Sequence, residues 1–85
     1  MAETVTNATA IDLSGHTCTP GWTDLHVHMA SQSSPQSYTE GFRLDDVDFA
    51  FRSVDYAKKT LMAGFTTVRN VGSDAWNDVG LREAI

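Results

Sequence analysis

One cysteine, Cys18, stands in a chain of 85 residues, and a lone thiol closes no internal disulfide. That excludes a small secreted scaffold stapled by disulfides and permits a reducing compartment. Cationic residues are also scarce: six Lys and Arg against eleven Asp and Glu give a formal net charge of −5 at pH 7. A nucleic-acid binder needs a cationic footprint to neutralise phosphates, so no nucleic-acid partner is expected. Long apolar runs are missing as well. No stretch approaches the roughly 20 residues of a membrane-spanning helix, so no membrane partner is expected either. The opening residues Met1-Ala2-Glu3-Thr4-Val5-Thr6-Asn7 carry an acid and no apolar core. This argues against a secretory signal and favours a cytoplasmic location.

What is present reads as one small globular unit, 41% hydrophobic and 20% charged. Residues 1–10 are small and polar and have no readable period. Ile11-Asp12-Leu13 pairs two aliphatics before a turn signal at Ser14-Gly15, and Thr17-Cys18-Thr19 resumes extended structure up to Pro20-Gly21. From Trp22 the pattern alternates, with Leu25, Val27 and Met29 on one face and Asp24, His26 and His28 on the other. Period two predicts a strand. Residues 30–41 form a Ser/Gln-rich polar loop that carries Tyr38.

A helix over about residues 46–63 is predicted from Val47, Ala50, Val54, Ala57 and Leu61, which recur at steps of three and four. That stripe is expected to be buried core. Asp45 or Asp46 suits the helix start and Gly64 its end. Asp48/Arg52 and Asp55/Lys59 have acid-before-base spacing for ion pairs on the outer face. Phe65-Thr66-Thr67-Val68-Arg69-Asn70-Val71-Gly72 is a β-branched run that predicts a second strand, and Ser73 or Asp74 suits the opening of a further helix. Strand, helix, strand implies a parallel pair with a right-handed crossover, the opening piece of a larger α/β fold.

His26-Val27-His28 carries the chemistry. Residues two apart on a strand project to one side, and two imidazoles leaning together reach a single ion at about 2.0–2.1 Å per nitrogen. Both lie at the C-terminal end of their strand, where parallel α/β folds build their sites. Two ordinary histidines at a strand end are the alternative. Asp24 shares their face as a further ligand, a partner that supports a ligand from behind, or a carboxylate that caps a turn. His16 suits a solvated turn, and Cys18 suits a small buried hydrophobe. Arg69 and Asn70 close the second strand near the same rim, with the pleat direction open.

Ile11-Asp12-Leu13-Ser14-Gly15-His16-Thr17 followed by Pro20-Gly21-Trp22-Thr23-Asp24-Leu25-His26-Val27-His28 resembles the signature of the amidohydrolase superfamily. Ala63-Gly64-Phe65-Thr66-Thr67-Val68-Arg69-Asn70-Val71-Gly72 and Gly80-Leu81-Arg82-Glu83-Ala84-Ile85 are similar to the branch holding Xaa-Pro dipeptidases, imidazolonepropionase-like enzymes and ochratoxin-degrading amidohydrolases. The resemblance implies an α/β fold: the first strand-helix-strand units of a (β/α)8 TIM barrel, with a short piece of the adjoining β-sandwich. Residues 1–20 would then be an N-terminal arm and sandwich edge, and residues 21–85 the start of an incomplete barrel. It also implies that His26 and His28 ligate a divalent metal, zinc foremost, as one or two ions. Asn70 stands where many relatives have Asp.

The implied activity is hydrolysis of an amide bond in a dipeptide-like or N-acyl amino acid substrate by a metal-activated water. An imidazolonepropionase-like cyclic amidohydrolase is one alternative, and a non-catalytic, partner-requiring module or truncated fragment is the other. No catalytic residue is expected within this segment, its substrate-binding residues are unassigned, and the segment alone is expected to be inactive. The partners implied are a small-molecule or peptide-like substrate, the remainder of the barrel and, in the complete enzyme, further copies in a homo-oligomer.

Overall fold

In the computed structural model, which describes residues 6–85, the chain is mixed α/β with a two-stranded parallel sheet and three helices. The order is β1 (Trp22–Val27), α1 (Ser37–Glu40), α2 (Asp46–Met62), β2 (Phe65–Asn70) and α3 (Asn77–Ala84). The arm before β1 carries turns. At Ser14-Gly15 the Asp12 carboxylate accepts from the Ser14 amide at 2.8 Å, and Gly15 sits at φ 80°. Cys18 is exposed, which corrects its expected burial, because the arm around it lies open to solvent along residues 6–23.

The crossover between the two strands is the segment around α2. The helix starts where Asp48 Oδ2 accepts from the Asp45 amide at 3.0 Å, answering one of the donors a helix start leaves free. It stops at Gly64, whose φ of 98° turns the chain left-handed while its amide donates to the Leu61 carbonyl at 2.9 Å. The Gly64 carbonyl then accepts from the Trp22 amide at 2.9 Å, so the helix stop and the first rung of strand pairing are one structure. At the neighbouring Gly21 any Cβ would overlap the Thr66 side chain, which keeps the two strands in close approach there.

Pairing runs Trp22 to Phe65, Thr23 to Thr67, Asp24 to Val68 and Val27 to Asn70, with register shifts between the first two rungs and the last two. The Trp22 and Phe65 rings meet edge to face at 6.2 Å. The shifts break the strict alternation expected for β1: Asp24 and Val27 are its half-buried positions, and Leu25 is exposed.

The apolar stripe of α2 is where expectation and structure part. Val47, Val54 and Leu61 are 63%, 58% and 58% exposed, and the one buried residue of the helix is Ser53, whose hydroxyl donates to the Ala50 carbonyl at 2.6 Å. In a doubly covered sheet a crossover helix packs across neighbouring strands and adjacent helices. Here α2 packs mainly on β2 and α3. Between them lies an open apolar groove of about 610 Å³ lined by Val54, Ala57, Leu61, Phe65, Val68 and Leu81, among others. The radius of gyration is 18.2 Å, against about 12 Å for a compact chain of this length.

Two smaller differences complete the outline. Arg52 pairs with Glu40 of α1 at 3.0 Å rather than with Asp48, whose carboxylate is occupied at the helix start. Asp55 and Lys59 do form the expected pair, at 2.6 Å. The third helix begins at Asn77, later than expected, because Ala75 and Trp76 sit at φ 49° and 58° and reverse the chain before it.

Candidate metal centre at the end of the first strand

His26 lies on β1 and His28 just past its last residue, Val27. Their rings are neighbours, with centroids 5.7 Å apart and planes inclined by 63°, and both are exposed. The extended backbone explains the placement: two residues of strand advance the chain by about 6.6–6.8 Å and return the side chain to the same side. Directly after His28 the chain turns inward, and Met29 and Ala30, each 7% exposed, are the buried apolar residues among those described. The histidine pair therefore directly precedes these two buried residues in the chain.

His28 is anchored through its ring. Its Nδ1 lies 3.3 Å from the Gly72 carbonyl oxygen, an acceptor, so Nδ1 carries the proton and donates. Nε2 is then the nitrogen with a free lone pair. Ligating histidines ordinarily carry this arrangement, with one ring N–H held by a carbonyl or carboxylate.

Asn70, at the end of β2, binds the same carbonyl. Its Nδ2 donates to Gly72 O at 3.2 Å and to Asp78 Oδ2 at 3.0 Å, while its Oδ1 accepts from the Met29 amide at 3.0 Å. The pleat direction left open by the sequence is thereby settled: Asn70 faces inward and Arg69 is exposed. Sequence reasoning missed both Gly72, which receives the His28 ring, and Asp78, which holds the Asn70 amide. Neither has a periodic or spacing signal, because their contacts depend on how the segment after β2 folds back over the rim.

The other candidates stand apart from the pair. Asp24 Oδ1 accepts from the backbone amide of His26 at 3.0 Å, so of the three roles open to it the carboxylate occupies the backbone-capping one. His16 belongs to the Ser14-Gly15 turn, its Nδ1 3.3 Å from the Ser14 carbonyl. Tyr38 packs edge to face on Phe42 at 5.1 Å. Among the described residues no group of three His, Cys, Asp or Glu side chains comes together as a metal cage. A catalytic zinc takes three protein ligands and a structural one takes four. The donor chemistry of His26 and His28 therefore fits a borderline-soft divalent ion as part of a site. No described helix is long and apolar enough to cross a membrane. Compared with known proteins, the chain matches no family model and no curated protein.

Proposed function

We propose that this chain forms the opening strand-helix-strand of a (β/α)8 barrel in a metal-dependent amidohydrolase, with His26 and His28 as two ligands of a divalent metal, zinc foremost. The observation that carries the reading is the adjacent ring pair at 5.7 Å, with His28 already held through Nδ1 by a backbone carbonyl. Its position at the C-terminal rim of a parallel pair supports the same assignment, because that rim holds the site in barrel enzymes. The exposed flank of α2 supports the barrel: further strands and helices would cover Val54 and Leu61.

When bound, zinc supplies Lewis acidity, which acidifies a water toward neutral pH and polarises a scissile carbonyl. The part of this chain is to present two imidazoles on one side of a strand and to hold one of them in the ligating tautomer. By resemblance the substrates are dipeptide-like or N-acyl amino acid amides. The remaining ligands and the proton-shuttling carboxylate belong to later strands.

In the complete enzyme His26→Ala and His28→Ala should each strip metal and abolish amide hydrolysis, and full metal content in both variants would sink the assignment. The 85-residue chain by itself should bind zinc weakly and hydrolyse no dipeptide, since ordering ligands from an incomplete site offsets the binding energy. The exposed apolar flank also favours one second reading, a non-catalytic module that completes its core on a partner. Tight stoichiometric zinc binding with cooperative unfolding of the isolated chain would show an autonomous metallo-domain and overturn the barrel reading.

A further inference from the structure

We propose that Asn70 is a positioning residue for His28: its Nδ2 holds the Gly72 carbonyl where that oxygen accepts the Nδ1–H of His28, leaving Nε2 as the ligating nitrogen. The inference deepens the metal-site reading above and rests on it for its functional meaning, while its structural content stands on the hydrogen bonds alone.

The amide of Asn70 has one orientation that its surroundings accept. Oδ1 faces an N–H donor, the Met29 amide, at 3.0 Å; Nδ2 faces two acceptors, the Gly72 carbonyl at 3.2 Å and Asp78 Oδ2 at 3.0 Å. A flipped amide would set donor against donor and oxygen against two oxygens. Both hydrogens of the NH2 group are thus committed, one to each acceptor. The residue grips its target twice, through the backbone amide directly after His28 and through the carbonyl that receives the His28 ring. That grip spans the two strands, since Asn70 pairs with Val27 in the parallel register.

The ring is also close to Gly72 itself. A Cβ built at Gly72 would lie 3.5 Å from His28 Cε1, an ordinary contact, so the carbonyl rather than the missing side chain is what Gly72 contributes. A neutral imidazole free in water favours the proton on Nε2. Anchoring Nδ1–H to a carbonyl reverses that preference and prepares the Nε2 lone pair before any metal arrives. Aspartate at position 70 could still accept from the Met29 amide. It has no proton for Gly72 and would put a second carboxylate beside Asp78, so the amide is the functional group the site uses.

The test is a long-range 1H–15N correlation spectrum of the 15N-labelled chain, without metal, at about pH 8, above the reference imidazole value of about 6.5. His28 should show the Nδ1–H tautomer, with His26 as the internal reference for an unanchored ring. Asn70→Ala should move His28 to the His26 pattern. Asp78→Asn, which retains an acceptor for Asn70, should leave it unchanged. An Nε2–H tautomer at His28 in the wild type overturns the inference outright, and this holds even if Asn70→Ala does not fold. An Asn70→Ala spectrum with His28 unmoved overturns it too. Zinc titration of the same proteins should show binding about 10- to 100-fold weaker for Asn70→Ala, the usual effect of losing an outer-shell partner. If His26→Ala and His28→Ala bind zinc as the wild type does, the metal reading fails and the tautomer result remains separately readable.

Discussion

Replacing Gly64 and Gly80 by alanine should change stability in opposite directions, although the two sites look alike sterically. A Cβ at either position meets no atom within 4 Å, so crowding contributes nothing to either substitution. The difference is the backbone. Gly64 sits at φ 98° at the end of α2, in a region where an L-residue pays roughly 1–2 kcal/mol. The narrower unfolded ensemble of alanine returns about 0.4–1 kcal/mol, which leaves a net loss of about 1 kcal/mol. Gly80 lies inside α3, Asn77–Ala84, where alanine is better than glycine by about 0.8–1.0 kcal/mol. The pair should therefore differ by about 2 kcal/mol, near a thirtyfold change in equilibrium population.

Amide hydrogen exchange reads both changes locally. The Trp22 amide, which donates to the Gly64 carbonyl, should exchange about fivefold faster in Gly64→Ala, while α3 amides become better protected in Gly80→Ala. D-alanine at position 64, placed by chemical ligation, favours positive φ and should restore or exceed wild-type protection. Equal and same-signed effects of the two L-alanine substitutions would refute the conformational argument, as would a D-alanine variant no better than its mirror image.

Three further outcomes are expected. Val54→Asp should cost no more than about 1 kcal/mol in urea unfolding of this chain, because the side chain is already 58% exposed; a loss of several would mean that the flank is covered, and concentration dependence would identify self-association. Hydrogen bonds from the Ser14 side chain and amide hold the Asp12 carboxyl below the usual carboxylate range, so the turn is stabilised above that range and loosens as pH falls through the lowered value. Ser14→Ala should raise the Asp12 midpoint in an NMR titration, and an unmoved midpoint would remove the hydroxyl as the cause. Glu40→Ala should release Arg52, lowering its raised pKa and loosening α1 without changing α2, as amide exchange at Leu44 and at α2 would record.

The elements declared by local pattern were legible in the sequence. The helix expected over 46–63 is Asp46–Met62, because its three-four spacing, acidic start and glycine stop act within a few residues of one another. The second strand and the parallel sense of the pair follow equally from a β-branched run after a helical crossover. What escaped are the consequences of long-range contact. Arg52 chose Glu40 because α1 folds inside a stretch that reads only as polar loop, and Asp48 was already engaged at the helix start. Register shifts in β1 cannot be seen in a strand read alone. At the rim the histidine pair was visible as spacing. The partners of His28 were not, since Gly72 lies 44 residues away and reaches it through a carbonyl that every residue type possesses.

The parallel pairing has a consequence for when the rim can form. Trp22 must find Phe65, and no hairpin can bring them together. Closing an unstructured loop of that length costs about 3 kcal/mol in chain entropy before the first rung repays it. The helix between them forms from local contacts in about a microsecond and shortens the gap, so α2 should be present before β1 has a partner. During synthesis β1 emerges first and waits with its edge unpaired until Phe65–Asn70 leaves the ribosome. Through that interval His28 has no Gly72 carbonyl to hold it. On the proposed metal-site reading, uptake of an ion at this rim would therefore be a late event in the life of the chain, gated by the completion of β2 and not by the appearance of the histidines themselves.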